Sequence, residues 1–242
     1  MPSFGNNNGV FQEAIDIPDG RYLVRGNLRI PPDAQGVVLF AHGSGSGRHS
    51  PRNRYVAQVL EEAGLATSLV DLLEESEAID RNKVFDIPLL ARRVGCVMDW
   101  LSGNPRAKSL ALGLFGASTG AAAALLAAAR KPDRVEAVVS RGGRPDLVLD
   151  VLDKVTAPTL LIVGGSDTPV IEWNKQALQR LRCPAEMTVI PGASHLFSEE
   201  GALENVAELA RDWFLQHLSP GTDHSFIEER GGKSVPGIRP VA

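Results

Sequence analysis

Cysteine is almost missing from this chain: its 242 residues hold two, Cys96 and Cys183, far apart and with no paired spacing. That excludes a disulfide framework and a Cys-rich zinc site, and it points to a reducing, cytoplasmic setting. Aromatic residues make up only 5% of the chain, and its net charge of −4 arises from interspersed acids and bases. Neither a basic footprint for nucleic acid nor a set of rings for stacked bases is therefore present. No run reaches the roughly 18 apolar residues of a membrane helix. Residues 1–9 lack the basic patch and apolar stretch of a secretory leader. Nucleic acid and membrane are thus not expected as partners, while the oligomeric state is left open.

What is present is a regular alternation. Residues 11–18 and 21–30 alternate apolar and polar around Pro18-Asp19-Gly20, a hairpin of half-buried strands. Residues 36–41 (GVVLFA) are continuously apolar, the mark of a strand covered on both faces. Helices are expected at 52–64, 87–102, 119–130, 146–154, 171–182 and 201–218. Strands are expected between them at 65–71, 109–115, 134–140, 158–164 and 186–190. This order implies βαβ crossovers and a mostly parallel eight-stranded sheet in one α/β domain over 1–218. The Gly-, Pro- and charge-rich segment 219–242 reads as a flexible tail, and the acidic stretch 74–80 as a solvated loop with no metal-ligand spacing.

The chemistry gathers around Gly116-Ala117-Ser118-Thr119-Gly120, which joins a buried strand to an Ala- and Leu-rich helix. A sharp strand-to-helix turn lifts its central side chain above the sheet edge and needs glycines on either side. Ser118 also stands at a helix N-terminus, where free N–H groups favour developing negative charge. A serine hydroxyl needs a base, and the base needs an acid to hold its tautomer. One arrangement built on such a turn runs serine, acid, histidine along the chain.

After Ser118 the histidines are His195, His217 and His224. His195 follows the strand 186–190 directly. His217 ends the final helix, where pairing with the helix dipole accounts for it, and His224 lies in the tail. Asp167 occupies the loop after strand 158–164, at the strand end where reactive groups gather in open α/β sheets. Its rival Asp146 reads as a first-turn helix charge. For the oxyanion, the N–H groups of Thr119 and of Ser44, in His42-Gly43-Ser44-Gly45-Ser46-Gly47, are the candidate donors. His42 closes its own strand and reads as structural, and Cys96 as core.

These motifs resemble the α/β-hydrolase superfamily over residues 11–218. More narrowly, residues 42–53 with Ser140-Arg141-Gly142-Gly143-Arg144-Pro145-Asp146 resemble dienelactone hydrolase-like proteins, a group in which similar domains also occur fused to phosphoribosyltransferases. The resemblance implies a serine hydrolase that forms an acyl-enzyme on small esters, thioesters or lactones, with no cofactor and no metal. Dienelactone hydrolases proper carry Cys where this chain has Ser118, so dienelactone itself is not implied as substrate. Members of the superfamily often insert a helical cap after the strand that ends here at Ser140; only residues 141–145 follow, so an open, capless site is expected. Arg141, with Arg48, is the candidate holder of an anionic group on the substrate, because guanidinium groups bind carboxylate or phosphate bidentately.

Two other readings remain. The fold can serve as an interaction module that has lost its activity. The glycine-rich turn also resembles that of short-chain dehydrogenases, but the Tyr-x-x-x-Lys pair has no counterpart: Gly26 and Val59 stand four residues after Tyr22 and Tyr55.

Overall fold

The structure, a computed structural model, describes residues 9–218 and the backbone of 237–240. The expected hairpin forms from β1 (Phe11–Asp19) and β2 (Tyr22–Ile30). β3 (Gly36–Ala41), α1 (Pro51–Glu62), β4 (Ala66–Asp71), α2 (Glu75–Ala78), α3 (Arg81–Val84) and α4 (Ile87–Gly103) follow. Next come β5 (Ala111–Ala117), α5 (Thr119–Arg130), β6 (Ala137–Arg141) and β7 (Thr159–Gly164). The described domain closes with α6 (Thr168–Arg180), β8 (Ala185–Ile190) and α7 (Ala202–His217).

The strands lie in the order β1-β2-β4-β3-β5-β6-β7-β8, antiparallel at β1/β2 and β2/β4 and parallel from there on. The mostly parallel α/β architecture is the expected one. A ninth strand, β9 (Gly237–Pro240), runs parallel to β8 at the sheet edge. Part of the segment read as a flexible tail is therefore a strand, and the rest of 219–242, His224 included, lies outside the described residues.

Burial follows composition. Every residue of β3, β6 and β7 is buried, as their apolar runs require, whereas β1 alternates at the rim with one face outward. One core cluster joins the sheet to α4, α5 and α6, and a second joins it to α1 and α7. α5 is buried from Thr119 to Ala128, and its alanines let it press close against sheet and α4. α1 begins where Ser50 accepts the Asn53 N–H, with Pro51 at its first position. α4 begins in the same way, with Asp86 accepting the Leu89 N–H at 2.9 Å.

Two local expectations are corrected. Residues 146–154 form no α-helix but two 3-10 turns, Pro145–Val148 and Leu152–Lys154. Buried Val148 and Leu152 anchor the segment against α5 and α6, and that packing overrides its helical periodicity. The acidic stretch is no solvated loop either. It folds into α2 and α3, with Glu77 buried against Arg93 at 2.7 and 3.0 Å and against Lys83 at 3.0 Å. Arg93 also donates to Leu72 O and to Asp19 Oδ2, both at 2.7 Å, so one buried guanidinium ties β1, α2 and α4 together.

Arg93→Leu leaves Glu77 charged and buried without its main partner, and should cost about 3–5 kcal/mol in denaturant unfolding. The hydrogen-bonded Arg92, opposed by burial and assisted by Arg93, holds the Asp19 carboxyl down at about 2 from its ordinary 3.8. A depressed carboxylate stabilises the fold above its unfolded pKa, and that contribution is lost as pH falls through the folded value. Unfolding free energy should therefore drop between about pH 4 and pH 2, and Asp19→Asn should flatten that part of the profile.

Candidate active site

Ser118 sits between β5 and α5 with φ 52° and ψ −121°, a left-handed backbone that non-glycine residues rarely adopt. The turn is held from three sides. Ser118 N–H donates to Arg141 O at 3.2 Å, and Ser118 O accepts from Arg144 N at 3.2 Å and Ala121 N at 3.1 Å. The flanking glycines act by close approach. A Cβ on Gly116 would lie 2.3 Å from Ala121 Cα, and one on Gly120 would lie 2.2 Å from Ala41 O.

The loops after β7 and β8 are sewn to each other by backbone bonds. Gly165 N–H donates to Ile190 O at 2.8 Å, and Ser166 N–H to Ala193 O at 2.9 Å. Asp167 and His195 are thereby fixed face to face. His195 Nδ1 lies 2.6 Å from Asp167 Oδ2, and His195 Nε2 lies 3.3 Å from Ser118 Oγ. The carboxylate demands the proton on Nδ1, which leaves the Nε2 lone pair toward the serine hydroxyl. Glu199, accepting from Ser194 N at 3.0 Å, steadies the loop just before His195. The three residues singled out as nucleophile, acid and base are thus brought together.

Thr119 is the first residue of α5, so its N–H has no intrahelical acceptor. The loop after β3 packs on the serine: a Cβ on Gly43, the residue before Ser44, would stand 2.9 Å from Ser118 Cβ. Buried His42 shapes that loop. It donates from Nδ1 to Gly43 O at 2.9 Å and accepts Leu72 N–H on Nε2 at 2.8 Å, and burial lowers its pKa. Both ring nitrogens are taken by backbone, the structural part expected of it.

The arginines divide. Arg48 is engaged with Asp71: its backbone N–H donates to Asp71 Oδ1 at 2.7 Å and its Nη1 lies 3.3 Å from Asp71 Oδ2. Arg144 makes a two-pronged bond to Asp146, 2.8 Å at each prong, which also occupies the rival acid. Arg141 has neither kind of partner: it is 8% exposed, with Nε and Nη1 meeting no acceptor among the described residues. Its guanidinium stands 5.8 Å from the centre of the Phe197 ring. Phe197, two residues after His195, is buried at φ 52°, and no signal in the sequence marks it.

Other side chains lie apart from this constellation. His217 meets Trp213 in a tilted arrangement with ring centres 4.6 Å apart, and burial lowers its pKa. Cys96 is only half-buried and lines a groove of about 650 Å³ between α4 and α5 that contains none of Ser118, Asp167 or His195. Burial pushes the Cys183 thiol up, away from reactivity. Among the described residues no group of acids, histidines and cysteines could hold a metal, and no helix is long and apolar enough to cross a membrane.

The sequence model of the dienelactone hydrolase family matches residues 78–234. A dienelactone hydrolase of known structure from Anabaena variabilis is 55% identical and superposes with a TM-score of 0.83, over 86% of this chain and 99% of that one. This chain belongs to the dienelactone hydrolase family. A protein of Mycobacterium tuberculosis named as a phosphoribosyl transferase is also 55% identical, over 86% of this chain but 47% of its own length. The chain thus spans about half the length of the curated relatives it matches first. Est1E from Butyrivibrio proteoclasticus, solved with ferulic acid, shares the fold at 19% identity and a TM-score of 0.73, over 84% of this chain and 99% of that one.

Because the carbonyls facing Gly120 belong to the backbone and cannot yield, Gly120→Ala should destabilise the family member by about 3 kcal/mol or more. A fall in Tm of roughly 6–12 °C by calorimetry would report it.

Proposed function

We propose that this hydrolase cleaves small esters, thioesters or lactones through an acyl-enzyme on Ser118, with His195 as base and Asp167 as its orienting acid. The observation that carries this reading is the continuous contact from Asp167 through both nitrogens of His195 to Ser118 Oγ. As Oγ attacks the acyl carbon, its proton passes to His195 Nε2. The carbonyl electrons collect on oxygen, facing the N–H groups of Thr119 and Ser44. Collapse expels the alcohol, thiol or ring oxygen, which takes the proton from His195. Water then attacks the serine ester with His195 again as base, releasing the acid and restoring Ser118. The 3.3 Å contact is long for a hydrogen bond to a hydroxyl, as is common before substrate draws the groups together.

Only residues 142–144 separate β6 from the turn that begins at Pro145, with no helical insertion at that point of the chain. That supports an open site and compact substrates. An anionic group on the substrate is assigned to Arg141, the buried cation beside Ser118 without a partner. The phosphoribosyl transferase name belongs to proteins twice as long, and the arrangement around Ser118 favours acyl transfer for this half.

A fluorophosphonate probe should label the wild type and fail on Ser118→Ala, and a wild type that resists the probe and cleaves no ester or lactone would favour a non-catalytic module. Ser118→Ala or His195→Ala should lower kcat by roughly 10⁴–10⁶ and Asp167→Asn by somewhat less, each measured on a short-chain ester. A small loss with His195→Ala would overturn its role as base.

A further inference from the structure

Two arginines that follow the strands at the edge bearing Ser118 are left without a counter-ion. Among the arginines that follow the strands at this edge, Asp71 takes Arg48 and Asp146 takes Arg144, while Arg54 is exposed to solvent. Arg141 buries Nε and Nη1 with no acceptor, and Arg52, in the first turn of α1, buries Nε in the same condition. Arg52 is near enough for its charge to act on Arg141: burial first, and then that charge, push the Arg141 guanidinium down to about 10. Arg141 ends β6 opposite Ala117, its carbonyl receives the Ser118 N–H at 3.2 Å, and its guanidinium stacks against Phe197. Arg141 is thus built into the frame around Ser118, and Arg52 lies within range of its charge.

Burying a cation without a partner is costly, and placing a second beside it adds repulsion. Elsewhere this protein compensates such a charge fully: Arg93, 3% exposed, meets two carboxylates and a carbonyl. Packing by itself would be met more cheaply by an apolar side chain at position 141. The uncompensated donors fit a ligand that brings its own negative charge. A monocarboxylate neutralises one of the two cations, whereas a phosphate monoester, doubly charged above its second ionisation at about pH 6, neutralises both and accepts from several N–H groups at once.

We propose that Arg52 and Arg141 form a subsite for the dianionic phosphate monoester group of an acyl ester, thioester or lactone substrate, seated beside Ser118. The assignment rests on Ser118 being the nucleophile, and its test is made independent of turnover by measuring binding on Ser118→Ala.

Calorimetry with methyl phosphate at pH about 7.5, where the probe is mainly dianionic, should give binding at least about ten-fold tighter than its isosteric monoanion methyl sulfate or than acetate. Arg52→Gln and Arg141→Gln should each weaken methyl phosphate by about ten-fold or more, and Arg52→Lys should recover part of the loss. Arg52 is only partly buried, so Arg52→Gln carries the test if Arg141→Gln does not fold. In the wild type, methyl phosphate should compete with p-nitrophenyl acetate, a neutral ester.

Equal binding of methyl phosphate, methyl sulfate and acetate would overturn the subsite, as would undiminished binding in Arg52→Gln. Tight but non-competitive binding would overturn its assignment to the substrate in favour of a free phosphate effector. Loss of fluorophosphonate labelling with phosphate binding intact would count against the serine mechanism and leave the anion site standing.

Discussion

One non-glycine residue held at φ 52° is the constraint around which this molecule is arranged. Such a backbone costs on the order of 1–3 kcal/mol and persists only where the surroundings over-determine it. Here the surroundings are the middle of the sheet. β5 is flanked by β3 and β6, so the Ser118 N–H and carbonyl can be tied to the segment 141–144. The bare face of Gly120 lets the start of α5 reach the carbonyls of Ala41 and His42 at the end of β3. The turn is then rigid, and its side chain has one direction in which to point.

The facing half of the site is built by a different device. Backbone hydrogen bonds couple the loop after β7 to the end of β8, so Asp167 and His195 move as one body, with Glu199 and buried Phe197 supporting the histidine side. Buried Asn174 of α6 donates to Gly143 O at 3.1 Å and joins that body to the segment beyond β6. For the acyl transfer proposed above, preorganisation of this kind would remove the entropic cost of gathering the groups.

Buried charge is handled in two ways within the same fold. Around Arg93 every guanidinium nitrogen has an acceptor and the group serves as a structural tie. At Arg141 and Arg52 donors are left over. A natural chain that tolerates this gives up stability there, a loss that the proposed anion subsite would account for.

The strand-turn-helix around Ser118 and the placement of Asp167 and His195 after successive strands were legible in the linear order. Each depends on local patterns: an apolar run, a pair of glycines, a strand end. Partnership between distant residues was not legible. Arg48 meets Asp71, 23 residues away, and Arg93 meets Asp19 across 74, so the sequence by itself could neither pair Arg48 nor bury Glu77. Packing likewise turned 146–154 into 3-10 turns and set β9 on the edge of the sheet. The sequence alone determined which side chains stand at the catalytic edge, because alternating strands and helices bring strand ends together whatever the details. Tertiary structure decided which charges there are spent and which are free, because charge compensation is a property of pairs and the chain had to fold before the pairs existed.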